Sequence, residues 1–159
     1  MKTVGIAILF GLCCLIGIRL AAKKTTGLYT TRALLRDLGT FSDRVTAGAT
    51  LSTAAETESG TFFDLLSAYL NALSSGSPQR SAAHEAAARM KDPEAARHGA
   101  ELFFNGLSET SRTELFVRID AFRETLARAE REAEETAKQA HVLKTAGVLI
   151  GAGLAILLL

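Results

Sequence analysis

The sequence predicts an all-α fold: a helical bundle flanked by an N-terminal and a C-terminal transmembrane helix, with the last helix long and continuous into the membrane. Three observations predict it. Apolar or small residues over positions 115–143 alternate steps of four and three without a break, helix-capping residues recur ahead of apolar runs, and no alternating strand pattern of useful length occurs in the 159 residues. The ends are the chain's only long uncharged apolar segments, and every acidic residue lies between them. The expected division is residues 1–24 for the N-terminal transmembrane helix and its basic flank, 25–139 for a helical cytoplasmic domain, and 140–159 for the C-terminal transmembrane helix.

Residues 3–18 (TVGIAILFGLCCLIGI) and 145–159 (TAGVLIGAGLAILLL) carry no charge. Neither alone reaches the roughly 20 residues that span a ~30 Å hydrocarbon core. Each does so once a basic side chain near its inner end extends to the headgroups: Arg19 lengthens the first span to 3–22, and Lys144 lengthens the second to 140–159. The rival reading of the first segment is a cleaved signal peptide, with Lys2, an apolar core and Leu20-Ala21-Ala22 as its three regions. Arg19 inside the cleavage region and the length of the apolar core argue against it. A lipoprotein signal fits less well, because Leu12 and Cys13 stand before Cys13 and Cys14 where a small residue is expected. Two adjacent cysteines within one span form neither a disulfide framework nor a metal site, which leaves them as packing residues.

Charge placement predicts orientation. Residues 1–36 hold six basic residues and no acid, 37–135 ten basic and seventeen acidic, and 136–159 two basic and no acid, so the zones carry +6, −7 and +2. Arg19, Lys23, Lys24 and Lys144 flank the inner ends of the spans and act as topology determinants. By the positive-inside rule this is a two-pass protein of the cell membrane with its middle domain cytoplasmic. The same basic stems are drawn to anionic lipid, although ordinary topology determinants explain them without a specific lipid site.

Within the middle region, Leu34, Leu38, Phe41 and Val45 step by four, three and four, giving one helix face that Gly48 can end in a left-handed cap. A short helix between Ser52 and Glu58 carries weaker signals. Thr61 with Asp64 reads as a capping-box variant, followed by a helix burying Phe62, Leu66, Tyr69 and Leu73. Ser77-Pro78 and Asp92-Pro93 read as N-cap and first-turn pairs, since proline costs no hydrogen bond where helices begin.

Ser111 with Glu114 is a full capping box opening the most regular element. Leu115, Ile119, Phe122, Leu126, Ala129, Ala133, Thr136, Ala140 and Leu143 form its seam, a heptad period that marks left-handed packing along its length. No glycine or proline interrupts 114–146, and a helix over 112–159 would be about 70 Å long at ~1.5 Å per residue. The seam narrows towards alanine, and Gly147 with Gly151 completes a small-xxx-small pattern. Ala129, Ala133, Ala140, Gly147 and Gly151 are thus the helix-packing candidates. They serve either packing of the two spans within one molecule or a docking face for another membrane protein. The outer face pairs Glu114 with Arg118, Glu124 with Arg128, Arg131 with Glu135 and Glu134 with Lys138 at i,i+4, as a solvated surface does.

No catalytic constellation is legible. His84-Glu85 begins like a zinc-protease motif, but Ala88 stands where the second histidine must share the helix face. His98 and His141 lack ligand spacings, and all three histidines read as surface or interfacial. There is no GxxxxGK phosphate loop and no G-x-S-x-G elbow. Catalytic, cofactor-binding and metal-binding residues are therefore expected to be none, and no cofactor is implied. An enzyme would need a site assembled from scattered residues such as Asp64, His84 and His98.

Gly17-Ile18-Arg19 at the end of the first span, the Gly48-Ala49-Thr50-Leu51 turn, the segment Leu102-Phe103-Phe104-Asn105-Gly106-Leu107 and the closing run over 129–159 together resemble the stage III sporulation protein AB family. The resemblance covers nearly the whole chain. It departs at Ala47 and Leu51, where many members place an aromatic and a proline. It implies a non-catalytic subunit of a secretion-like channel complex between mother cell and forespore, with a head similar to the type II secretion F-type platform domain, located on the mother-cell side. The partners so implied are other membrane proteins of that complex and its cytoplasmic ATPase. The lipid membrane is a further partner, nucleic acid is not, and a homo-oligomer is compatible with the small-residue faces. The alternative is a membrane-anchored regulator whose acidic head binds a soluble cytoplasmic partner, a reading the −7 zone motivates.

Overall fold

The computed structural model describes the backbone of residues 2–90, 93–107 and 111–157, with side chains described chiefly between 26 and 139. Among the described residues every regular element is helical: α1 Lys2–Thr46, α2 Leu51–Thr57, α3 Thr61–Ser74, α4 Gln79–Ala88, α5 Glu94–Phe104 and α6 Arg112–Leu157. The all-α expectation holds. The first apolar segment and the 34–45 stripe, read from the sequence as separate pieces, belong to one 45-residue helix. Among the described residues no helix is long and apolar enough to cross a membrane. The side chains of most residues in 2–25 and 140–157 lie outside those described, Cys13 and Cys14 among them. The chain divides into two compact units, Tyr29–Arg131 and a second one of Met1–Leu28 with Glu132–Leu159.

In the Tyr29–Arg131 unit, the four residues of the α1 stripe, Leu34, Leu38, Phe41 and Val45, are all buried. The helix ends as the glycine predicts. Gly48 takes a positive φ of 96°, its N–H donates to the Val45 carbonyl at 3.0 Å, and the Ala49 N–H donates to the Arg44 carbonyl at 3.0 Å. This is the paired closure of a Schellman motif, which satisfies carbonyls that the helix itself leaves open. Thr50 then caps α2, its hydroxyl accepting from the Thr53 N–H at 3.2 Å.

α3 is apolar on most of its circumference, as a central helix must be. Phe62, Leu66 and Tyr69 are buried as expected, Leu73 is partly so, and Phe63, Leu65, Ala68 and Ala72 join them. The Phe62 ring packs on Phe41 of α1 at 5.1 Å, Phe103 of α5 at 5.8 Å and Phe122 of α6 at 6.5 Å. Phe104 stacks between Phe62, at 6.0 Å, and Tyr69, at 5.2 Å. Offset and edge-on aromatic contacts of this kind add about 0.5–1.5 kcal/mol each beyond area burial.

The Ala-rich α4 buries Ala82, Ala83, Ala86 and Ala87 and packs against α3 and α5. Without bulk on that face the helix backbones can lie close. α6 buries Leu115, Ile119, Phe122, Leu126 and Ala129, so the heptad seam is a core seam through residue 129.

Three expected caps differ. The Thr61–Asp64 capping box does not form: Gly60 is the N-cap with no side-chain bond, and Asp64 is exposed. Pro78 and Pro93 are N-caps, one residue earlier in the helix than expected, and each keeps an extended ψ while its carbonyl accepts from Ala82 or Arg97. Ahead of Pro78, the Ser77 N–H donates to the Ala72 carbonyl at 3.0 Å and closes the end of α3. Asp92 lies outside the described residues. The Ser111–Glu114 box is half made: the Glu114 N–H donates to the Ser111 hydroxyl at 3.3 Å, while the Glu114 carboxylate turns to Arg118.

Replacing Phe62 by Ala removes the ring that touches three other helices and should lower stability by about 3–5 kcal/mol. Denaturant unfolding of the full chain in mild detergent, followed by far-ultraviolet circular dichroism, measures this; a loss below about 1 kcal/mol would contradict the central place assigned to this ring.

Candidate functional site

The polar interactions that organise the Tyr29–Arg131 unit gather at helix ends. Asp37 of α1 is buried, 3% exposed, yet charged by type. Its Oδ2 accepts from the Phe62 N–H at 3.2 Å, at the first turn of α3, and its Oδ1 lies 3.3 Å from the Arg36 guanidinium. A carboxylate from a residue 25 positions earlier thus does the work that Thr61 and Asp64 were expected to do. The negative charge also faces the positive end of the α3 dipole. Gly60 makes room for it, since a Cβ there would lie 2.7 Å from the Asp37 carboxyl carbon, and the Gly60 φ of 152° is one that side-chain-bearing residues rarely adopt.

Arg112, the first residue of α6, makes the opposite match. One of its terminal nitrogens donates to the Val45 carbonyl at 3.0 Å and the Thr46 carbonyl at 2.9 Å, the open end of α1. A cation at a helix C-terminus complements both the free carbonyls and the dipole. Nearby, Arg44 pairs with Glu58 just after α2, and further along α1 the Arg32 Nε donates to Glu130 of α6 at 2.7 Å. The last two pairs are partly exposed and individually weak.

The i,i+4 pairs expected on α6 appear in part: Glu114 with Arg118 at 3.3 Å and Glu134 with Lys138 at 3.5 Å. Arg131 instead donates to the Ala127 carbonyl, and Asp120 pairs with Arg123 at i,i+3.

Two hollows open on this unit. One, of about 270 Å³, is bordered by Val45, Gly48, Thr50, Leu51 and Leu115, with Arg112 in its wall. The other, of about 170 Å³, runs between α5 and α6 past Gly99, Leu102, Phe103, Arg118, Ala121 and Phe122. Neither lining contains a histidine, cysteine or carboxylate. Among the described residues no three His, Cys, Asp or Glu side chains group as metal ligands.

The sequence-derived candidates fall as follows. Ala129 is buried in the α6 seam, and Ala133 is half-buried in the second unit. Ala140, Gly147 and Gly151, with the topology determinants Arg19, Lys23, Lys24 and Lys144, lie in helix but their side-chain surroundings are outside the described residues. Asp64, His84 and His98 are all exposed, and His84 Nδ1 stands 3.2 Å from Glu101 of α5. His141 is outside the described side chains. Asp37 and Arg112 were not singled out from the sequence, since their partners are 25 and 66 or more residues away.

Neither a family model, nor a curated protein, nor a solved structure resembles this chain closely enough to be counted as similar.

Asp37→Ala leaves the Phe62 N–H buried without its acceptor and is expected to cost about 1–3 kcal/mol. Asp37→Asn keeps an acceptor oxygen and should cost less. Parallel thermal melts that add Asp37→Leu, close in volume but without an acceptor, distinguish a capping role, in which Leu loses at least as much as Ala, from simple packing, in which Leu loses less.

Proposed function

We propose that this chain is a non-catalytic membrane platform subunit: a helical head held in a bilayer by both of its apolar ends, on which other proteins assemble. The observation that carries the reading is that each apolar end is the continuation of a helix that also builds the head. α1 runs from Lys2 to Thr46 and α6 from Arg112 to Leu157, each a single element of 45 or 46 residues. An end that served only as a tether would need no such continuity, whereas an assembly platform needs its head carried on ordered helices.

The charge zones of +6, −7 and +2 support a cytoplasmic head and two inward basic flanks. The resemblance to the stage III sporulation protein AB family makes the proposal specific: the platform serves a secretion-like channel between mother cell and forespore, in contact with further membrane subunits and a cytoplasmic ATPase.

Ser75 lies exposed in the turn after α3 and is a suitable reporter of sidedness. With Cys13 and Cys14 replaced by Ala, a Ser75→Cys chain in intact cells should resist a membrane-impermeant maleimide and react fully once the cells are opened. Labelling in intact cells would overturn the topology and the platform reading with it.

A further inference from the structure

In the groove between α5 and α6, exposed apolar bulk, a shaped hollow and an under-used cation coincide. Leu102 lines it and is 58% exposed, and Val117, one helical turn before Ala121 on the same face of α6, is 64% exposed. Side chains of this size normally turn inward on a helix whose other apolar residues are buried. Here the inward places are already taken by Phe103 and Phe122, which stack at 5.3 Å beneath the groove. Gly99 lets the two helices approach at this level, since a Cβ there would come within 2.9 Å of the Thr125 methyl.

Among the described residues that line the groove, Arg118 alone is charged. Its guanidinium lies against Gly106, where a Cβ would displace it, so its position is set by the turn after α5. Its terminal nitrogen meets Glu114 at 3.3 Å in a partly exposed pair, a weak and replaceable contact, and its buried Nε makes no hydrogen bond among the described residues. A guanidinium seeks a carboxylate that uses two of its nitrogens side by side, and Glu114 on the same helix occupies only one.

We propose that this groove seats a Leu- or Phe-sized side chain of a partner protein, whose adjacent carboxylate replaces Glu114 on Arg118. Apolar floor and positive charge among the described lining residues together select that ligand chemistry: a neutral apolar segment leaves Arg118 with Glu114 alone, and a basic one faces a like charge. The inference rests on the Tyr29–Arg131 unit alone and stands whether or not the apolar ends cross a bilayer.

The test uses the full chain in neutral-lipid nanodiscs, with methyl-labelled leucine and alanine observed by NMR, and two dipeptide probes. These are acetyl-Phe-Glu-amide and its uncharged counterpart acetyl-Phe-Gln-amide. The acidic probe should shift the Leu102 and Ala121 methyl signals saturably, with a Kd in the millimolar range for a ligand of this size. It should bind about five-fold or more tightly than the amide probe, the margin a charge-assisted pair supplies. Arg118→Gln should erase that margin. Ala121→Leu, at an exposed position, should block both probes while amide exchange in α3 stays unchanged.

Equal binding of the two probes, or no saturable shift up to about 20 mM, overturns the proposal. So does a Leu102 shift that appears without probe as protein concentration rises, which assigns the groove to a second copy. A shift that follows the fraction of anionic lipid in the nanodisc assigns it to a membrane surface and overturns it likewise.

Discussion

The Phe62 ring is the contact on which the head depends. It lies at the start of α3, beside Phe41 of α1, Phe103 of α5 and Phe122 of α6, so four of the six helices meet through one side chain. The same residue's backbone N–H is held by Asp37. Orientation and burial are therefore set together: the carboxylate positions the first turn of α3, and the first turn delivers the ring. The ring keeps its packing against three other helices, but the first turn that carries it loses its side-chain cap when Asp37 is removed.

Long-range capping repeats at the carbonyl end of α1. Arg112 closes that end from the beginning of α6, as Asp37, about two turns earlier in α1, caps the start of α3. Each tie spends a charged side chain on a helix terminus in a different part of the chain, and each one favours a particular register between helices in a way that apolar packing, which tolerates sliding, does not. The groove beside Arg118 follows from the same economy. There the guanidinium rests on Gly106 with a replaceable partner, which is why that cation is open to a ligand while Arg112 is committed.

Local periodicity was legible, and non-local pairing was not. The stripes over 34–45 and 115–129 could be read because a 3.6-residue period needs only neighbours in sequence, and both are buried. The Gly48 turn and half of the Ser111 box were equally visible. The α5 face of Ala96, Gly99, Ala100, Phe103 and Phe104 carries the same period and could have been named. Thr61 with Asp64 misled because a local cap is the default expectation, and nothing near Gly60 announces that a carboxylate 25 residues away takes the place. At both prolines the helix begins one position later than the pairing of residue types suggested, and at Pro78 the preceding Ser77 N–H closes α3. Of the candidate site, Leu102 and Arg118 could be seen, but their convergence required the α5–α6 crossing.

The four buried alanines of α4 carry one more consequence. Alanine has no rotamers to lose, so seating this helix costs little side-chain entropy, but it also removes little apolar area from water. Nor does α4 place any aromatic ring in the cluster that joins α1, α3, α5 and α6. Its ten residues are thus held mainly by close fit, which vanishes within a fraction of an ångström of separation, with the exposed contacts of Gln79 to the Asn105 carbonyl and of His84 to Glu101 beside it. Beside α1, α3, α5 and α6, which are bolted through phenylalanines, α4 is a panel that lifts more easily, and its amides should meet solvent before theirs.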